Sequence, residues 1–258
     1  MGTSESFGRS TTPAASAPAA LLAFDHVTKR RLNGRQPHLV LDGVSFDIAP
    51  GECVGLRGPR RSGKTTLLRI AAGIDLPDDG QVRWQGSDAV GRRRASPLRK
   101  VAFVAQTSDW RGAPGKPMLD HIALPLLIAG RPVAEALATA RAISAELGAE
   151  DYVDLPPHLL PADVLARLSL ARGLVRNPKL LIADAAGDDA VDGEHLAFQQ
   201  LLACVRARPG LALLVASREA SALRGTDRIM TLDGSGRLRV PDRADARVFP
   251  FPAGAPEP

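Results

Sequence analysis

Short apolar runs over residues 21–27, 38–48 and 81–84, separated by polar turns, predict strands. Residues 54–58 (VGLRG) read as a buried strand ending in glycine, and residues 64–73 as the helix that this strand feeds. Residues 101–105 form another apolar strand. From 118 to 176 the β pattern gives way to helical stretches, ALPLLIAG, VAEALATARAISAELG and DVLARLSLARGLV. Strand character returns at 180–183, 212–216 and 229–232, with a helix-like stretch at 194–206 between the first two. No internal repeat is visible. The pattern is an α/β core with a parallel sheet, interrupted by a helical insertion.

The ends differ from this core. Residues 1–20 are rich in Ser, Thr, Pro and Ala and predict a disordered tail, and the proline-rich residues 241–258 predict a second tail. The folded unit expected between them is 21–240, with its helical part at about 107–176. A chain of 258 residues buries an ample core without disulfides or a structural metal. Cys53 and Cys204 stand far apart, with no paired-cysteine or histidine spacing around them, which fits a reducing compartment. The N-terminus lacks a basic-then-apolar secretion pattern, and no apolar stretch approaches the ~18–20 residues of a membrane span. The expectation is a cytoplasmic protein, any membrane role being peripheral. Thirty-three Lys and Arg against 28 Asp and Glu leave a net charge of +5, carried mostly by arginine. That excess permits anionic partners without naming one, and by itself it disfavours a nucleic-acid reading. Arg92, Arg93, Arg94, Arg99 and Lys100 read as a solvated charged segment rather than a binding patch.

The chemistry is concentrated in Gly58-Pro59-Arg60-Arg61-Ser62-Gly63-Lys64-Thr65, which matches G-x-x-x-x-G-K-[ST], the Walker A loop. It follows an apolar strand and opens the helix that continues through Thr66, which is the context the motif requires. Glycines let the backbone approach phosphate, and the helix N-terminus adds oriented N–H groups. Lys64 is expected to reach the β- and γ-phosphates and the Thr65 hydroxyl to ligate Mg²⁺. Arg60 and Arg61 stand where small residues are common; they read equally as extra phosphate affinity or as solvent-facing side chains. LLIAD at 180–184 is an apolar strand ending in Asp184, placed to hold Mg²⁺ opposite Lys64 as a Walker B acid.

These segments together resemble the ATP-binding subunits of ABC transporters. The resemblance runs from about residue 21 to about 240 and rests on GVSFDIAPGECVGLRGPRRSGKTTLLRIAAGIDLPDDGQVRWQG (43–86), VAFVAQ (101–106), MLDHIALPLLIAG (118–130) and ARGLVRNPKLLIAD (171–184). The wording is most similar to the lipoprotein-release, cell-division and macrolide-efflux branch. The resemblance implies a P-loop NTPase (RecA-like) fold, with a mainly parallel sheet, an N-terminal antiparallel β subdomain and a helical insertion. It implies ATP and Mg²⁺ as cofactors, Gln106 as a further Mg²⁺ contact, an integral-membrane permease as partner, and pairing with itself or a second ATP-binding subunit.

The departures fall at positions the family uses for hydrolysis. The glutamate that follows the Walker B aspartate is Ala185, and the histidine after the next strand is Arg218 in Ser217-Arg218-Glu219. Arginine accepts no proton, although it can hold phosphate as a fixed cation. No catalytic residue is therefore expected. The LSGGQ signature is replaced by Leu160-Pro161-Ala162-Asp163-Val164, where Pro161 removes a donor and Asp163 is expected to cap a helix beginning near Val164, occupying its anion site. The adenine-stacking aromatic falls near Arg30 and Arg31, and the D-loop expected near Val191 and Asp192 is not recognisable. Asp188, Asp189 and Asp192 lie too far past the Walker B position to replace the base. The implied protein binds Mg·ATP with impaired or absent hydrolysis; an ATPase with an unconventional base, or a permease-free, nucleic-acid-associated relative, are the alternatives.

Overall fold

A computed structural model describes residues 20–33, 36–88, 100–104, 115–184 and 201–241. Two sheets organise them. The first is antiparallel, with strand order β2-β1-β4-β5, from β1 (Leu22–Asn33), β2 (Gln36–Ile48), β4 (Asp79–Trp84) and β5 (Ser87–Asp88). The second contains β3 (Cys53–Arg57), β6 (Val101–Val104), β7 (Leu180–Asp184), β8 (Ala212–Ser217), β9 (Arg228–Leu232) and β10 (Leu238–Arg239), in the order β10-β9-β3-β8-β7-β6. All its neighbours pair in parallel except β10, which runs antiparallel to β9. The central strands β3, β7 and β8 are buried almost throughout, which explains their continuous apolar runs.

Helix α1 (Lys64–Ala71) follows β3 and sends Leu67, Leu68 and Ile70 into a core shared by both sheets. Three further helices lie in the chain between β6 and β7: α2 (Met118–Ile128), α3 (Val133–Glu146) and α4 (Ala162–Leu174). Met118, Ile122, Ala136, Ala140, Val164 and Leu168 close a separate apolar cluster among them. This cluster is joined to the parallel sheet at Gly173 of α4, where a Cβ would come within 2.9 Å of the Val104 side chain of β6.

The expected elements are present, with one difference of extent. β1 continues to Asn33, well past residue 27, because its pairing with β2 survives register shifts between Phe24 and Val27, Val27 and Lys29, and Lys29 and Arg30. Each shift breaks the apolar alternation while the backbone ladder continues. The helix-like stretch at 194–206 is helical over 201–206, the remainder lying outside the described residues.

Candidate functional site

The loop between β3 and α1 is shaped by its close approaches. A Cβ on Gly58 would fall against the Leu232 carbonyl oxygen and lie 2.7 Å from Ser62 Oγ. Gly63 has φ +97°, and a Cβ there would lie 2.7 Å from the Val40 carbonyl oxygen. The antiparallel sheet therefore backs the loop through β2. Pro59, Arg60, Arg61 and Thr65 are exposed on the loop, whereas Ser62, Lys64 and Thr66 are buried. Arg61 is held at φ +62°, a conformation that disfavours an L side chain.

Lys64 is 5% exposed, and its Nζ donates to the carbonyls of Gly58 at 2.6 Å and Pro59 at 2.7 Å. Burial lowers its proton affinity, Asp184 opposes that shift, and Arg218 adds to it. The ammonium is thus curled back onto its own loop and lies within electrostatic reach of both an acid and a second cation. Ser62 is 2% exposed, and its Oγ has no hydrogen-bond partner among the described residues. An orphaned buried hydroxyl costs about 1–3 kcal/mol. An oxygen-rich anion in the loop would satisfy it. α1 has no acidic residue in its first turn, so its N-terminal N–H groups also favour an anion.

Strand register brings the distant partners to this edge. β8 lies beside β3 with Ser217 opposite Arg57, so Arg218 leaves the sheet level with Gly58. β7 lies beside β8 with Asp184 opposite Ala216. Lys64, Arg218 and Asp184 thereby share the carboxyl edge of the sheet. Among the described residues no group of three His, Cys, Asp or Glu gathers as a metal cluster. Mg²⁺ in phosphate sites commonly takes only one or two protein oxygens beside the phosphates, a role that Thr65 and Asp184 fit. Gln106 and Ala185, and with them Asp188, Asp189, Val191 and Asp192, lie outside the described residues, as do Arg92, Arg93, Arg94 and Arg99. Sequence reasoning passes over Arg57, an exposed cation at the last position of β3, although its place directly before the loop was a usable signal.

The replaced signature differs from expectation. α4 begins at Ala162 with Pro161 as its N-cap and no side-chain cap. Asp163 does not cap it. Lying inside the first turn, Asp163 instead accepts from Arg167 Nη2 at 2.8 Å, while Arg167 Nη1 donates to the Gly148 carbonyl at 2.7 Å. The physical reason is spacing: an acid one residue inside the helix reaches the i+4 side chain more readily than the free N–H groups. At the adenine-side position, Arg30 pairs with Asp79 at 2.7 Å and Arg31 with Asp75 at 3.2 Å.

A strand, a glycine-backed loop with a buried lysine, a helix opening on that loop and an acid two strands away define a P-loop nucleotide-binding protein. The profile of the ABC transporter family matches residues 41–187. The chain is 35% identical over 220 residues to the lipoprotein-releasing system ATP-binding protein LolD 1 of Rhodospirillum rubrum, covering 83% of this chain and 96% of that one. It is 32% identical over 238 residues to the methionine import ATP-binding protein MetN of Caulobacter vibrioides, covering 90% and 70%. Its fold is similar to the ATP-binding cassette MJ0796 in a dimeric post-hydrolysis state bound to ADP and Pi, with TM-score 0.73, 25% identity, and coverage of 85% and 97%. The chain belongs to the ABC transporter family, as an ATP-binding domain, and the LolD matches are consistent with the lipoprotein-release branch.

Proposed function

We propose that this chain is the ATP-binding subunit of an ABC transport complex that binds Mg·ATP and hydrolyses it poorly or not at all. The reading rests on one conjunction: a fully formed phosphate loop around Lys64, in a chain that has Ala185 and Arg218 where its relatives' hydrolytic glutamate and histidine are expected. The functional unit is residues 21–240, with residues 107–176 as its helical subdomain and residues 1–20 and 241–258 as tails. Gly58 to Thr66 enclose the phosphates, Lys64 turns from its loop carbonyls to a phosphate oxygen, and Ser62 donates its orphaned hydroxyl. Thr65, Asp184 and Gln106 would hold Mg²⁺, which supplies charge neutralisation at the phosphates. Without a general base the attacking water stays neutral, a loss worth about 10²–10⁴-fold in rate.

Such a subunit works beside a permease as a nucleotide-sensing or structural half, at the cytoplasmic face of the cell membrane. Among the described residues no helix is long and apolar enough to cross a membrane, in keeping with a peripheral subunit. Its pair is a second copy or a catalytic ATP-binding subunit. Titration calorimetry with Mg·ATP should show binding that Lys64→Ala abolishes, while phosphate release stays equal in wild type and variant. Lys64-dependent turnover would instead mean an ATPase with another base. Purification from membranes in mild detergent should recover a polytopic protein; recovery of nucleic acid instead would overturn the transporter role.

A further inference from the structure

We propose that this site binds nucleoside triphosphate without a divalent metal, Arg218 supplying with Lys64 the charge that Mg²⁺ would otherwise provide. The inference rests on the reading of the loop as a triphosphate site and adds how the anion is neutralised. Its basis is the arrangement of fixed charges at the carboxyl edge of the sheet. Arg218 follows Ser217, the register partner of Arg57, and is half-buried where β8 passes the start of the loop. It lies close enough to Lys64 to disfavour that lysine's proton. Arg57, Arg60 and Arg61 form an exposed rim on the same loop.

The described carboxylates at this edge are fewer and mostly engaged. Asp184 interacts electrostatically with Lys64. Asp233, just past β9, accepts from the Ser235 hydroxyl at 2.7 Å and from the Ser235 and Arg237 backbone N–H groups at 2.9 and 3.0 Å. Glu219 is exposed and accepts from the Ser221 hydroxyl at 3.3 Å. Cations therefore outnumber the acids around a half-buried centre where Coulomb interactions are only partly screened.

Two consequences follow from one charge distribution. A naked triphosphate is the most anionic form of the ligand and gains most from fixed guanidinium and ammonium groups, which form strong charge-assisted hydrogen bonds to phosphate. A divalent ion entering between Thr65 and Asp184 gains from the carboxylate but is repelled by Lys64 and Arg218. The first effect strengthens metal-free binding and the second weakens the added benefit of metal. Residues able to hold Mg²⁺ are retained, and affinity does not depend on it.

The test is calorimetric titration of the full chain with ATP in Mg²⁺ and, separately, in excess EDTA. The expected dissociation constants agree within about threefold. Arg218→Gln, which keeps side-chain bulk and removes the charge, should weaken metal-free ATP by about tenfold or more and Mg·ATP by much less. Arg218→Lys should restore most of the metal-free affinity, and circular dichroism of both variants should match wild type. Binding in Mg²⁺ that is lost in EDTA overturns the inference and leaves the ATP-binding reading standing. Unchanged metal-free affinity in Arg218→Gln overturns it too. Absence of binding under both conditions overturns the inference together with the function proposed above.

Discussion

Ser62 and Arg61 are neighbours in the loop with opposite costs. The Ser62 hydroxyl is buried without a partner, so Ser62→Ala should leave the ligand-free protein equally stable or more stable, while ATP affinity falls. Urea midpoints and calorimetry measured on the same variant check this, and a parallel fall in both would show a structural role instead. Arg61 is held at φ +62° with its side chain exposed. Arg61→Gly relieves the Cβ clash of the left-handed region and should raise stability by about 1 kcal/mol in urea denaturation. A loss of stability would mean that the guanidinium makes a compensating interaction. Both residues stand in the motif and were legible as candidates, but neither the orphaned hydroxyl nor the strained backbone is written in residue types. They arise because Leu232 and Val40, far away in the chain, press carbonyl oxygens against Gly58 and Gly63.

At the scale of elements, an ion pair and two carboxylates tie the sheets together. Arg228 at the start of β9 donates from Nε to Glu52 at 2.7 Å and also to the Asp47 carbonyl, with side chains 3% and 11% exposed for Arg228 and Glu52. Glu52→Ala strands a buried guanidinium and should cost about 3–5 kcal/mol, read from the denaturant midpoint. Asp75 is held below its ordinary pKa of 3.8 by its two hydrogen bonds from Arg69, and Asp78 by those from Lys29 and the Arg30 N–H. Depressed carboxylates stabilise the fold fully above their unfolded pKa, and the contribution is lost as pH falls through the folded values. An Asp75→Asn, Asp78→Asn double variant should therefore be less stable at neutral pH and lose less stability on acidification, as urea midpoints across pH will show. These ties explain why β1 outruns its apolar pattern: beyond Val27 it is held by Lys29, Arg30 and Arg31 against Asp78, Asp79 and Asp75. Charge pairs between segments so far apart leave no periodic trace in the chain.

On the scale of the whole molecule, the surface that a partner's nucleotide would meet begins at α4. Its N-terminus carries Pro161 and an Asp163 paired with Arg167, in place of a hydroxyl and glycine N–H groups. Sedimentation velocity should show that ATP alone does not drive this chain into a dimer, since each copy would present a carboxylate to the other's phosphate. An ATP-induced dimer would overturn that expectation. Strand and helix order, the insertion between β6 and β7, and the loop from Gly58 to Thr65 were determined by the sequence itself. Each depends on apolar runs or on a motif only a few residues long, and such local preferences need no partner to be expressed. The tertiary structure alone decided which distant groups face Lys64. Arg218 and Asp184 reach it through the parallel register of β3, β8 and β7, and Asp163 was given to Arg167 rather than to the helix cap. Register in a buried parallel sheet is chosen by packing on both faces at once, so no single segment contains it.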